Sequence, residues 1–151
     1  SDMTTLTLTL MVGISGSGKS THASKLAQST NATIVEPDAI RKELTGDATD
    51  QSRNGEVFRL AHQRAESFLL TGKSVVVDAT NLDRKTRAEW VAIARRCGAE
   101  ARAVVVDTPV DVAKKRNLSR VRVVPLDVID KQASRFCPPT VSEGFAHIAT
   151  V

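Results

Sequence analysis

The sequence predicts one α/β domain, a parallel β-sheet with helices on both faces. Three observations carry that prediction. Short apolar or β-branched runs alternate with helical stripes in the order βαβααβαβααβ, the pattern of parallel strands joined by crossover helices. The chain has 151 residues, the length of one domain with its own core. Hydrophobic residues make up 41% and charged residues 25%, the balance of a globular chain. No repeat, low-complexity stretch or linker divides it, so residues 1–151 are read as a single domain. Ser1-Asp2 ahead of Met3 reads as a cloning remnant outside the fold.

Each element has its own signal. Residues 6–12 are apolar and Thr-rich and read as a buried strand, which Gly13 to Gly18 breaks. Residues 19–28 continue as a helix with Ala23, Leu26 and Ala27 inward, and residues 32–35 form a short strand. Pro37-Asp38 opens a helix through about Leu44, and residues 45–54 are polar and turn-like. Val57, Leu60, Ala61, Ala65 and Phe68 mark a helical stripe that Thr71-Gly72 ends. Residues 74–78 read as a β-branched strand ending in a carboxylate. Asp83 caps a helix running to Cys97, with Gly98 just past its end. Residues 101–107 are the next strand, and residues 109–120 form a basic helix. Residues 121–125 interrupt, 126–136 are helical until Pro138-Pro139, and 145–151 form the last strand.

Composition excludes several classes. Four Phe, one Trp and no Tyr are too few for a row of base-stacking rings. Phe58 and Trp90 are the candidate stacking rings, with core packing the preferred reading for both. The two cysteines, Cys97 and Cys137, lie far apart and make neither a zinc site nor a disulfide framework, and the three histidines have no ligand partner at suggestive spacing. No apolar run reaches the roughly 18 residues of a membrane helix, and no basic-then-apolar leader opens the chain. The expectation is a cytoplasmic protein with no membrane partner. The net charge is +4, yet residues 84–122 hold eleven basic and four acidic side chains, a local excess of +7. Such a basic half suits a polyanionic ligand, either nucleotide phosphates or a nucleic acid.

The strongest motif is Gly13-Ile14-Ser15-Gly16-Ser17-Gly18-Lys19-Ser20, which fits G-x-x-x-x-G-K-[ST] without a mismatch. It sits where its chemistry requires, after a strand and opening a helix. Glycines let backbone N–H groups turn inward around phosphate oxygens, and the helix N-terminus adds positive potential. Lys19 reaches the outer phosphates, while Ser20, with Thr21 beside it, suits Mg²⁺. Gly13, Ser15, Gly16, Ser17, Gly18, Lys19, Ser20 and Thr21 are the candidate nucleotide contacts.

Ligands of open parallel sheets sit beyond the carboxyl ends of the strands, where three further clusters fall. Asp38 and Arg41 are i, i+3 on a helix and share a face, a carboxylate for an attacking hydroxyl beside a cation for phosphate. Asp78 ends a Val-Val-Val strand, where a carboxylate can order Mg²⁺, and Thr80 and Asn81 follow as candidate acceptor contacts. Arg116 and Arg120 are four apart in a helical segment and can straddle a triphosphate as a closing lid. Arg122 lies off that face.

Taken together, these segments resemble the 5′-OH polynucleotide kinase domain of phage, bacterial and animal nucleic-acid repair enzymes. The resemblance runs through Asp38-Ala39-Ile40-Arg41, Asp78-Ala79-Thr80-Asn81-Leu82, Lys115-Arg116-Asn117-Leu118-Ser119-Arg120, Val124-Pro125-Leu126-Asp127-Val128 and the tail Pro138 to Phe145. It implies the P-loop kinase fold, with a helical Arg-bearing lid over the sheet. It implies γ-phosphoryl transfer from ATP or another NTP, with Mg²⁺, to a DNA or RNA 5′-hydroxyl. Asp38 then matches the general base, Arg41 the arginine on the acceptor's phosphate, Arg120 the lid arginine on the donor and Arg116 a second clamp. Asp78 matches the family's strand-end aspartate more loosely. Relatives often fuse this kinase to a phosphatase or ligase, so the chain reads as a stand-alone kinase or as one domain of a repair protein. Two other readings stay open on the residues: a P-loop kinase of a small-molecule hydroxyl, and an NTP-dependent switch that needs no D-x-x-R after the second strand.

Overall fold

The computed structural model describes residues 5–120 and 123–151. Five strands form one sheet: β1 (Thr7–Val12), β2 (Thr33–Val35), β3 (Val75–Val77), β4 (Glu100–Val105) and β5 (His147–Thr150). Their order is β2-β3-β1-β4-β5, and every pairing is parallel. The connections carry α1 (Lys19–Thr30), α2 (Pro37–Thr45), α3 (Asn54–Leu70), α4 (Arg84–Arg96), α5 (Val110–Leu118) and α6 (Leu126–Arg135), with a 3₁₀ turn at Val141–Glu143.

The helices divide between the faces because strand side chains alternate. Leu8, Leu10 and Val12 of β1 point to one side, where α3 and α4 supply Val57, Ala61, Ala65, Trp90 and Val91. Met11 points to the other, against Ala23 and Ala27 of α1. A third, smaller cluster of Ile14, Leu82, Ala113 and Ile129 packs α5 and α6 against the loop that follows β1. Trp90 is fully buried, edge-on to His62 at 4.5 Å, and Phe58 is half-buried beside the same ring. Burial holds His62 below its usual pKa, its leading cause, against the pull of Glu89.

Most sequence-read boundaries fall within two residues of these ends. Asp83 caps α4 by accepting from the Thr86 N–H at 2.7 Å, and Gly98 follows with φ 70°, the left-handed exit expected there. The basic helix is shorter than expected: α5 stops at Leu118, and Arg120 lies in the turn beyond it, its N–H donating to Asn117 O. Ser1-Asp2 and Arg122 lie outside the described residues. Among the described residues no helix is long and apolar enough to cross a membrane.

Candidate functional site

The loop between β1 and α1 gets its shape from glycines used for different reasons. Gly16 and Gly18 take φ 81° and 98°, where an L side chain is strained. A Cβ on Gly16 would also stand 2.2 Å from the Ala113 carbonyl, so α5 can lie against the loop only because that atom is missing. Gly18 caps α1 with no side-chain hydrogen bond. The start of α1 therefore has no side-chain cap from its own N-cap residue, an arrangement that suits an anion.

Gly16, Gly18, Lys19, Ser20 and Thr21 line a cavity of about 240 Å³, and Arg116 and Arg120 close its other side. The structure thus brings the sequence-read loop and lid arginines together across roughly a hundred residues of chain. Lys19 is 8% exposed, and its Nζ donates to Ile14 O at 2.9 Å. Arg116 Nη1 donates to Ser17 O at 3.0 Å. Arg116 and Arg120 share the cavity although Arg120 is past the helix, because the turn from Asn117 keeps it on the same side.

Ser20 Oγ donates to Asp78 Oδ2 at 2.8 Å, and Asp78 is buried at the end of β3. The pair offers a hydroxyl and a carboxylate oxygen. Among the described residues no group of three or more His, Cys, Asp or Glu could hold a metal. A cation here would draw its other ligands from phosphate and water, the habit of Mg²⁺ and not of zinc or calcium. The donor set therefore fits Mg²⁺.

Asp38 and Arg41 form an ion pair across the first turn of α2, and Arg41 Nη2 also donates to Asn54 Oδ1 at the start of α3. Arg41 is 4% exposed, whereas Asp38 is accessible to solvent. They do not line the loop cavity. They stand beyond β2, two strands from β1, or roughly 10 Å away at the usual strand spacing. The sequence placed Asp38 and Arg41 on one face. It did not point to Asn54, an exposed helix-start residue with no motif around it.

Asn81 is placed differently from the expectation that it faces an acceptor. It is 2% exposed, has φ 46°, and its Nδ2 donates to Met11 O at 2.8 Å. Asn81 therefore fastens the β3 loop to β1. Thr80, half-buried beside it, accepts the Gly13 N–H through its carbonyl at 3.0 Å. Arg87, fully buried, donates to Asn81 O at 2.9 Å and to both Glu143 oxygens, at 2.8 and 3.2 Å. That buried pair was also illegible in the sequence, since its partners are 56 residues apart.

Burial raises the Glu143 pKa, but the Arg87 hydrogen bonds and charge outweigh it and hold the carboxyl below 4.5. A depressed carboxylate contributes stability above its unfolded pKa and loses it as pH falls through the lower folded value. Glu143→Gln is expected to flatten the acid-side fall in thermal stability below about pH 4.5 relative to the parent. Melting curves from pH 7 to 3 check this, and parallel curves for the two proteins would exclude the pair as an acid-labile contact.

The basic excess of residues 84–122 is partly neutralised locally. Arg87, Arg96, Arg102 and Lys114 pair with Glu143, Glu66, Glu100 and Asp130. Arg116 and Arg120 are the members of that segment that reach the cavity.

A family model described as AAA domain matches residues 8–139. The chain belongs to the AAA domain family. This AAA domain is 28% identical over 145 residues to a protein of Autographa californica nuclear polyhedrosis virus that carries the name bifunctional polynucleotide kinase/RNA ligase. The match covers 85% of this chain and 20% of the viral protein, so the chain spans about a fifth of that relative's length. A chain of the Pnkp1/Rnl/Hen1 RNA repair complex superposes with TM-score 0.77 at 24% identity, over 87% of this chain and 44% of that one. A gluconokinase from Sinorhizobium meliloti 1021 superposes with TM-score 0.64 at 21% identity, over 100% of this chain and 83% of its own. The sheet, loop and flanking helices of this AAA domain are those of the P-loop kinase architecture.

Proposed function

We propose that this AAA domain transfers the γ-phosphate of an NTP to the 5′-hydroxyl end of a DNA or RNA strand. The observation that carries the reading is the Asp38–Arg41 pair beyond β2, which sets an accessible carboxylate beside a fixed guanidinium two strands from the phosphate loop. Asp38 accepts the proton of the attacking hydroxyl, and Arg41 holds a phosphate of the acceptor strand. Lys19 and the N-terminus of α1 hold the donor's outer phosphates, while Arg116 and Arg120 grip it from the lid side. Ser20 and Asp78 would hold Mg²⁺, which supplies charge neutralisation on the phosphates. The name of the viral relative supports a polynucleotide acceptor.

The test offers γ-labelled ATP with Mg²⁺ to a 5′-OH oligonucleotide and to the same strand already 5′-phosphorylated. Label entering only the first is the expected result. A second reading, transfer to a small-molecule hydroxyl, is favoured by the gluconokinase superposition over 100% of this chain and 83% of that one. Label entering a sugar or nucleoside but not the oligonucleotide would establish that reading instead.

An acceptor held by its phosphates should bind more weakly as salt rises, with a slope of about −0.7 per neutralised phosphate on single strands. With Arg41 and a few basic neighbours available, the expected slope of log affinity against log salt is on the order of −1 to −3. An acceptor affinity indifferent to salt would favour the small-molecule reading.

A planar guanidinium can grip two phosphate oxygens at once, so Arg120→Lys keeps the charge but stays impaired. Arginine fingers elsewhere contribute roughly 10³–10⁵ in rate, and here Lys19 shares the load, so Arg120→Ala should lose on the order of 10²-fold in kcat. Steady-state kinetics of Arg116→Ala, Arg120→Ala and Arg122→Ala at saturating donor check the assignment. Arg122→Ala should be the mildest of the three, and finding it the most damaging would reject the lid register.

A further inference from the structure

Gln132, on α6, has no part in the reading above, yet it holds the tip of the phosphate loop at two points. Its Oε1 accepts the Ser15 N–H at 2.8 Å, and its Nε2 donates to Ser15 Oγ at 3.0 Å, across 117 residues of sequence. A carboxamide can both accept from and donate to one residue without bringing a charge. Ile129, three residues earlier on the same face of α6, packs with Ile14 in the small cluster around the loop. The helix therefore meets adjacent loop residues with one apolar and one polar contact.

The far side of the loop is held as well. Arg116 and Thr108 both donate to Ser17 O, at 3.0 and 2.8 Å. Asn117, fully buried, ties α5 to the start of α6: its Nδ2 donates to Val124 O, and its Oδ1 accepts the Val124 N–H at 2.9 Å. The two helices thus bear on the loop as one piece, and that piece carries Arg116 and Arg120.

We propose that Gln132 is a positioning residue for the nucleotide: it holds the Ser15 backbone in its phosphate-receiving shape and couples the loop to the α5–α6 element that carries the lid arginines. The inference rests on the reading that the loop binds an NTP. Without the carboxamide, the loop tip has to be ordered at the moment of binding, which lowers affinity. Gln132 itself is half-buried on a surface helix, so its truncation removes little core.

Calorimetry of ATP with Mg²⁺, in the absence of any acceptor, tests the inference on the parent, Gln132→Ala, Ser15→Ala and the double variant. Gln132→Ala is expected to weaken ATP binding by about 10-fold with little change in melting temperature. Ser15→Ala should cost less, since the backbone N–H still meets Oε1. The double variant should bind within about twofold of Gln132→Ala, because contacts shared by one pair are not additive. Gln132→Glu still accepts the Ser15 N–H but sets a negative charge beside the phosphate site. It should bind ATP more weakly than Gln132→Ala, with the gap closing as salt rises.

Parent-like ATP affinity in Gln132→Ala, or a lowered melting temperature with affinity unchanged, would overturn the inference and leave Gln132 a structural contact. Losses that simply multiply in the double variant would overturn it too. A parent protein that binds ATP but leaves the oligonucleotide unlabelled would reject the proposed acceptor alone, whereas one that binds neither ATP nor GTP would reject both readings.

Discussion

Asp38→Asn is expected to slow phosphoryl transfer by on the order of 10²–10⁴-fold at saturating donor, with NTP affinity changed by less than about threefold. The substitution keeps the size of the side chain and removes the proton acceptor. Donor affinity is spared because Asp38 stands beyond β2, outside the cavity formed by the phosphate loop and the lid arginines. The structure adds a complication that the sequence did not carry. Asp38 is also the ion-pair partner of Arg41, a guanidinium with almost no exposure. Neutralising Asp38 therefore disturbs the residue assigned to the acceptor phosphate.

Asn54→Ala separates the two effects, since it releases Arg41 from its other partner and leaves the carboxylate in place. A proton-transfer role for Asp38 predicts that Asn54→Ala costs at most about 10-fold, chiefly as a raised KM for the acceptor, while Asp38→Asn lowers kcat. Equal losses in kcat for the two variants would assign Asp38 to holding Arg41 and not to the hydroxyl. Collapse of nucleotide binding in Asp38→Asn would move Asp38 to the donor side.

Lys19→Ala is expected to leave less than about 10⁻³ of the parent transfer rate. The ammonium lies against the loop's own backbone, where it donates to Ile14 O. Removing it takes away both a phosphate contact and one brace of the loop. The fold should survive, because Ile14 remains packed with Leu82, Ala113 and Ile129 and because Gln132, Arg116 and Thr108 hold the loop independently. Lys19→Met keeps the apolar stem and loses the charge. Equal inactivity of the two variants, with a cooperative melt in each, places the effect on the ammonium. Measurable turnover by a folded Lys19→Met protein would remove Lys19 from catalysis.

What the sequence determined by itself is local in origin. The motif from Gly13 to Ser20 needs eight consecutive residues and a strand–helix junction, and both are written contiguously. Asp38 and Arg41 share a face because i, i+3 spacing on one helix guarantees it. The element order follows from hydrophobic periodicity, and parallel pairing follows from helices long enough to cross between strands.

Tertiary structure alone decided which distant groups complete those fragments. Asn54 joins Arg41 because α2 and α3 pack together, Gln132 joins Ser15 because α6 returns to the loop, and Glu143 joins Arg87 from the far end of the chain. Asn81 turned inward for a related reason: β1 lies beside β3, and its Met11 carbonyl accepts the Asn81 amide. These partners are single polar residues in unremarkable local sequence. Their roles depend on burial and on long-range approach, because a buried polar group must find a hydrogen-bond partner wherever the fold brings one within reach.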